Sequence, residues 1–455
     1  MKEFTPEYLD RLKDIIARRD DVQARKELAD MHPADVAELY EQLDDLEEAE
    51  YLIKLLDGDH AADVLMELDE DERRRLLADM DAEDIAKQFI DHLDTDEAVD
   101  LIQELEPEER DEVLSHIDDV EQAGDIIDLL KYDEDTAGGL MGTEMIVVNE
   151  NWSMPECIKQ MRMQAEDMDE IYNVYVVDAD DRLRGILPLK KLITHPSVSK
   201  IKHVMEVDPP SVKADTPIDE VALDFEKYDL VAMPVIDSIG RLVGRITVDD
   251  VMDQVRESSE RDYQLASGLS SDVGADDSVW SQTKARIPWL LVGIASGIVA
   301  SLILSGFEAQ LSVVTALALF IPIIGGTGGN VGVQSSAIVV QSLANGSLDI
   351  KNFSSQLGKE ILIGLLNASV ISAVILVYNL IMLPEEPAVT VSVALSLFVV
   401  VMFATILGTV VPLTLEKLHI NPALATGPFI QISNDIVGLI IYVGVSTACL
   451  RFFGT

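Results

Sequence analysis

Three successive regimes of hydrophobic spacing divide the chain. Over residues 1–131, Leu, Val and Ile recur every three or four positions with carboxylates between them, as in DVAELYEQLDDL (35–46), ADVLMELDEDERRRLLADM (62–80) and AVDLIQELEPEERDEVLSHI (98–117). That spacing predicts amphipathic helices, punctuated at Gly58 and Pro107. The phrase ELDEDER (67–73) returns 37 residues later as ELEPEER (104–110), which predicts helical hairpins stacked in a superhelical array. From about residue 139, strands alternate with helices, and NVYVVDADDRLRGILPL (173–189) matches AMPVIDSIGRLVGRITV (232–248) at a constant offset of 59. Asp178 falls on Asp237, Leu183 on Leu242 and Gly185 on Gly244. Each copy follows a strand-like run (145–148, 210–214) and a helix (154–163, 217–228). A connecting helix over 251–267 and the acidic stretch GLSSDVGADDS (268–278) lead into the third regime. There, apolar segments at 287–307, 311–343, 360–383, 388–415 and 423–450 each reach the ~20 residues that a bilayer requires.

The predicted fold is therefore multidomain: an all-α superhelical N-domain (1–131), two α/β repeat copies (132–200 and 201–250), a connecting helix and linker (251–283), and an all-α polytopic membrane domain with five transmembrane helices (284–455). Lys284, Arg286, Lys351, Lys359 and Lys417 fall on one side of the five spans. Basic residues favour the cytoplasmic side, so a cytoplasmic N-terminus and an external C-terminus are expected. The two outer loops, around Glu308 and at 384–387, carry no basic residue, and Arg451 alone departs from the pattern. The opening MKEFTPEYLDRLKDII has no apolar core for a cleaved signal peptide.

Charge sharpens the division. The formal charge is −48, yet residues 287–455 hold seven acidic and four basic residues, which leaves 75 acidic and 30 basic before them. Such a field repels phosphate backbones and anionic headgroups. Nucleic acid is not expected as a partner; cations are the natural counterpart, and charge that only solvates the domain is the alternative. Cys157 and Cys449 form no CxxC pair, and the seven histidines show no zinc spacing. No nucleophile and base at useful spacing and no P-loop point to an enzyme.

Within the apolar segments, PIIGGTGGNVGVQSS (322–336) places Gly325, Gly326, Gly328, Gly329 and Gly332 beside Thr327, Asn330 and Gln334. Loosened backbone is tolerated at membrane depth only where it is buried in protein or lines a wet cavity, so accessible carbonyl oxygens are expected here. Asp435 lies deep in the last segment, where a carboxylate costs at least ~2.5 kcal/mol on insertion scales and usually marks a pathway or relay, the alternative being an Asp that is protonated or held by a hydrogen bond to a neighbouring helix. Oxygen ligands without Cys or His suit hard ions, and Mg²⁺, which stays largely hydrated, suits a single Asp per chain. Two chains meeting on an axis would bring two copies of Asp435 to one ion.

The repeat at offset 59 resembles a tandem pair of CBS domains, cytosolic regulatory modules that often hold an adenosine nucleotide at a Thr-x-x-Asp turn. Copy two has Thr247 and Asp250 there, whereas copy one has Pro188 and Lys191. A site for ATP or another adenosine nucleotide is thus confined to copy two, where a helix N-cap made by Thr247 or its neighbour Asp249 is the competing reading. Together with DTAGGLM (135–141), PIIGGTGGN and NPALATGPFIQISNDIVGLIIY (421–442), the chain resembles the MgtE-type magnesium channels over essentially its whole length. The resemblance implies a homodimer in the cytoplasmic membrane with Asp435 as the main pore ligand and backbone of Gly326 and Gly329 beside it. Asn330 and Gln431 complete the expected pore set. It also implies that the cytosolic domains sense magnesium, with Asp229, Asp250, Asp253, Asp262 and Glu83 as sensor carboxylates. Carboxylates ~8 Å apart in water repel by about 0.5 kcal/mol, and many such pairs would be relieved by intracellular Mg²⁺. Lys87, Ser258 and Arg261 stand where the resemblance implies acidic residues, and Asn421 where it implies Asp. A CBS-regulated, proton-coupled carrier of another divalent cation or small solute is the alternative function.

Overall fold

The computed structural model describes residues 6–29, 31–43, 46–78, 80–166, 168, 171–196, 199–271, 273–274, 278–307, 315–344, 348, 353–382 and 386–453. The expected outer loop at Glu308, the head of the second apolar segment (311–314), Lys351 and residues 383–385 lie outside them. Two compact units divide the chain, Met1–Val255 and Arg256–Thr455.

The first unit opens with the helical domain that the three- and four-residue spacing predicts. Short helices run from Pro6–Ala17 to Val120–Leu129, and their apolar faces form a shared core that includes Leu39, Leu65, Phe89 and Leu101. Much of the acidity is structural. Asp20, Asp57 and Asp119 cap helix starts by accepting from the backbone N–H of Gln23, His60 and Glu121, where a carboxylate satisfies an orphan donor and complements the helix dipole. The 37-residue echo has a physical counterpart. Arg73 donates to the carbonyls of Met66 and Leu68, and Arg110 donates to those of Gln103 and Leu105. In both copies the guanidinium therefore holds carbonyls seven and five residues upstream, at the end of the preceding helix. Arg73 also pairs with Glu104, Nε to Oε1 at 3.0 Å, so the two copies are tied together.

The repeat at offset 59 forms two small sheets. Strands β1 (Ile146–Asn149), β2 (Val174–Val177), β3 (Leu183–Ile186) and β4 (Glu206–Val207) lie in that order, β1 parallel to β2 and the others antiparallel. Strands β5 (Val212–Lys213), β6 (Ala232–Ile236) and β7 (Leu242–Thr247) repeat the parallel-then-antiparallel pattern. The matched aspartates close matched turns: Asp178 accepts from the N–H of Asp180 and Arg182, and Asp237 from those of Ile239 and Arg241. The two hairpins then bond to each other, Leu183 N–H to Gly240 O at 3.1 Å and Leu242 N–H to Asp181 O at 3.0 Å. Copy two leads directly into the connecting helix, Val248–Ser267.

Among the described residues, the second unit holds five helices long and apolar enough to cross a membrane: Val279–Gly306, Leu317–Ala344, Phe353–Met382, Pro387–Lys417 and Pro422–Phe453. The fourth is central, with 61% of its most apolar window buried against none for the first. Small and hydroxylic residues line it, and Ser392, Thr405 and Thr409 return their hydroxyls to carbonyls one turn back. Such side chains let neighbouring backbones approach in the absence of a hydrophobic driving force. The glycine-rich stretch corrects an expectation. Residues 321–344 form one continuous α-helix rather than loosened backbone. In a segment surrounded by protein and lipid an unpaired backbone group is costlier than in water, which favours the helix in spite of its glycines.

Candidate metal centres

In the first unit, carboxylates from distant segments meet at a cavity of about 150 Å³. Asp94, Asp96 and Glu97 come from the start of the Thr95–Glu104 helix, Glu144 from the segment before β1, and Asp249 and Asp250 from the first turn of the connecting helix. Ligand atoms of Asp94, Asp96 and Glu144 lie within 4.8 Å of one another. Glu144 is held by the helix it faces: Oε1 accepts from Thr95 N–H at 3.0 Å and Oε2 from Thr95 Oγ1 at 3.1 Å. Gly142 makes room, since a Cβ there would stand 2.8 Å from Asp96 Oδ2 and 3.0 Å from Glu144 Oε2.

Crowding shows in the protonation equilibria. Burial, then the charges of Asp250, Glu144 and Asp94, holds the Asp96 carboxyl well above the usual range. Burial, then the charge of Asp94, pushes Glu97 up to about 7. Asp250 is also raised, by burial, although two hydrogen bonds from Thr247 oppose the shift. Those bonds run from Thr247 N–H (3.0 Å) and Thr247 Oγ1 to Asp250 Oδ2, so the Asp250 carboxylate reaches back to the residue that precedes its helix, one half of a capping box. A hard cation with oxygen ligands would replace the protons that these carboxylates otherwise retain.

Of the five expected sensor residues, Asp250 alone lines this cavity. Glu83 is exposed and bonded to Lys87 at 2.6 Å. Asp229 ends the Ile218–Tyr228 helix in a left-handed conformation (φ 50°), and Asp253 is exposed on the connecting helix. Asp262 belongs to the second unit, where it accepts from Asn421 Nδ2 at 2.8 Å. Sequence reasoning missed Asp94, Asp96, Glu97, Glu144 and Asp249. The acidic run DTDE (94–97) at a helix start was the available signal.

In the membrane unit, the second and fifth helices bring part of the expected pore set together. Asp435 is half-buried and accepts from Gln431 Nε2 at 3.3 Å. A Cβ added at Gly325 would lie 3.4 Å from Asp435 Oδ1, one at Gly329 would overlap the Gln431 amide, and one at Gly332 the Asn434 amide. The glycines thus admit the polar side chains of the fifth helix against bare backbone. Gly326 and Asn330 lie one turn apart on an exposed face of the second helix, continued by Gln334. Asn434, a further residue that sequence reasoning missed, is buried with neither amide atom hydrogen-bonded among the described residues.

Residues 321–445 match a family profile described as a divalent cation transporter, residues 31–135 the MgtE intracellular N domain, and residues 137–197 and 201–257 the CBS domain. Over 328 residues the chain is 36% identical to the magnesium transporter MgtE of Thermus thermophilus, covering 70% of this chain and 71% of that one. The chain belongs to the MgtE family. The MgtE of Bacillus subtilis is 31% identical over 322 residues, 71% of each chain. Among solved structures, the soluble part of a magnesium transporter aligns with a TM-score of 0.51 at 28% identity, covering 56% of this chain and 98% of that one. The cytosolic domain of the Mg²⁺ channel MgtE in complex with ATP aligns with a TM-score of 0.51 at 31% identity, covering 54% and 99%. For this MgtE-family chain, the helical N-domain, the CBS pair and the five apolar helices agree with the architecture expected from sequence, and the protein is a multi-pass membrane protein of a transporter family.

Proposed function

We propose that this protein conducts Mg²⁺ inward across the cytoplasmic membrane, without catalysis, and that intracellular Mg²⁺ closes it by binding the cytosolic domains. The observation that carries the reading is Asp435, a carboxylate in the middle of the fifth apolar helix, set with Gln431 against the bare glycine backbone of the second. Its charge and the amide oxygens around it suit a cation that keeps much of its water. Gly326 and Asn330 join the path from a second copy of the chain or face it. The polar stripe Gly326, Asn330 and Gln334 is exposed among the described residues, and lipid would leave its amides without partners, so pairing as a homodimer satisfies it. Lys284, Arg286, Lys359 and Lys417 orient the N-terminal domains to the cytoplasm and the C-terminus outward.

The sensor centres on Asp250 with Asp94, Asp96 and Glu144 around the cytosolic cavity. Asp262 contributes through its contact with Asn421, beside the place where a Cβ on Gly427 would overlap Ala266 O. Asp229, Asp253 and Glu83 supply outlying charge. An adenosine nucleotide at Thr247 and Asp250 would bring phosphates among these carboxylates, so Mg²⁺ must accompany it. Mg²⁺ uptake into proteoliposomes of the purified chain tests the reading. Uptake that follows the Mg²⁺ gradient and disappears in Asp435→Ala supports it, whereas uptake that requires a proton gradient transfers support to a coupled carrier.

A further inference from the structure

The connecting helix ends in a turn that touches two of the apolar helices. Gly268, at φ 85°, closes Val248–Ser267 with a Schellman cap: its N–H donates to Leu265 O at 3.1 Å and that of Leu269 to Gln264 O at 3.0 Å. The Gln264 side chain grips the chain beyond, accepting from Val273 N–H at 3.2 Å and donating to Val273 O at 3.4 Å. Held in this shape, the turn meets the head of the fifth helix through backbone. Ala266 O lies where a Cβ on Gly427 would overlap it, and a Cβ on Gly268 would stand 2.5 Å from Pro428 Cγ. Asp262, one turn before Ala266, adds its hydrogen bond to Asn421. The turn also meets the first helix, where Ser270 N–H and Oγ both donate to Ala285 O, at 3.0 and 2.9 Å. Ala285 is fully buried and lies three residues before Pro288. A proline inside a helix offers no N–H to the carbonyl one turn back, and its ring crowds that turn. Carbonyls there are open to outside donors, and in membrane helices serine and threonine supply them.

We infer that this turn, residues 266–270, is the joint that passes movement of the connecting helix to the pore, with Gly268 and Ser270 as its positioning residues. The inference rests on the proposed gating by cytosolic Mg²⁺ and names where that gating is transmitted. Val248–Ser267 is one helix that begins within the second CBS copy. Gly427–Phe453 is another, and it carries Asp435 eight residues beyond Gly427, about 12 Å along its axis. Rigid elements carry coupling only through the contacts between them. Here a glycine faces a carbonyl and a second glycine faces a proline ring, so no long side chain stands between the two helices to absorb a shift. The paired hydrogen bonds to Ala285 O tie the same turn to the first helix, so the heads of the first and fifth helices shift together.

Mg²⁺ uptake by the full chain in proteoliposomes, recorded against cytosolic Mg²⁺, tests this when read beside Mg²⁺-induced protection of the cytosolic domains from protease. Gly268→Asn keeps the left-handed backbone, which Asn tolerates, but sets a side chain against Pro428. It should need about tenfold more cytosolic Mg²⁺ for half-inhibition, within the range of coupling between distant sites. Ser270→Ala loses one of the two hydrogen bonds to Ala285 O and should raise that half-point about fivefold. In both variants uptake at low Mg²⁺ should stay within about twofold of native, and Mg²⁺ should still protect the cytosolic domains, so that sensing persists while the pore no longer follows it. Native uptake that Mg²⁺ inhibits, with both variants inhibited at the native concentration or below it, overturns the inference and leaves the gating reading standing. Loss of uptake at every Mg²⁺ concentration in both variants also overturns it, because the turn would then shape the pore itself. Should Gly268→Asn fail to fold, Ser270→Ala decides by the same outcomes. Native uptake that no cytosolic Mg²⁺ inhibits refutes the gating reading, and the joint falls with it.

Discussion

Replacing Glu97 by Gln should remove about 3 kcal/mol of a pH dependence that the native protein shows only without divalent cations. Glu97 ionises near pH 7 in the folded chain against 4.5 as a model carboxylate, because burial and Asp94 disfavour its charge. Below pH 4.5 both states hold the proton and Glu97 has no net effect. Between about 4.5 and 7 the unfolded chain ionises first, so native stability falls as pH rises; above the folded value the loss is complete. At about 1.4 kcal/mol per unit, the total is about 3 kcal/mol for this residue, and Asp96 and Asp250, raised in the same direction, add to it. A cation in the cavity substitutes for the lost protons, so Mg²⁺ should flatten the dependence. Thermal unfolding of the full chain across this window, in chelator and in saturating Mg²⁺, reads the effect. Native stability in chelator that does not fall toward neutral pH, or an Mg²⁺ effect equal at both ends of the window, would refute the reasoning.

Three other outcomes follow from particular contacts. Gly329→Val should abolish Mg²⁺ uptake while leaving the protein in the membrane, because the added side chain takes the place of the Gln431 amide; normal uptake would show that this helix contact does not shape the path. Asn421→Leu removes the hydrogen bond to Asp262, worth about 1 kcal/mol, and should raise residual uptake several-fold at inhibitory cytosolic Mg²⁺, as read by flux from preloaded vesicles. Arg73→Leu strands Glu104, whose side chain is 11% exposed, and should destabilise the helical N-domain by about 3 kcal/mol, visible as earlier loss of helical signal on heating.

Periodicity made the architecture legible because each regime of spacing answers to a different solvent: water on one face of the N-domain helices, water at the rims of small sheets, and lipid around the five spans. The place of Asp435 within the fifth helix was legible for the same reason, since a carboxylate stands out inside an apolar segment. The continuous helix over 321–344 was not, because the disfavour of glycine in helices is an aqueous rule that weakens where backbone cannot turn to water. The cytosolic cavity was hidden by abundance. Its members lie at 94–97, 144 and 249–250 among 82 acidic residues, and no local pattern distinguishes them from the aspartates that cap helices. Thr247 and Asp250 show the limit of a spacing motif: the pair expected to meet an adenosine nucleotide is also hydrogen-bonded to itself at a helix start and lines the carboxylate cavity.

Mg²⁺ flux through reconstituted protein, recorded while Mg²⁺ on the cytosolic face is varied, compares native protein with Asp250→Asn and Asp435→Ala most directly. The account predicts native flux that falls as cytosolic Mg²⁺ rises, Asp250→Asn flux that persists to higher Mg²⁺, and none from Asp435→Ala. Native flux indifferent to cytosolic Mg²⁺, or undiminished flux through Asp435→Ala, would contradict it.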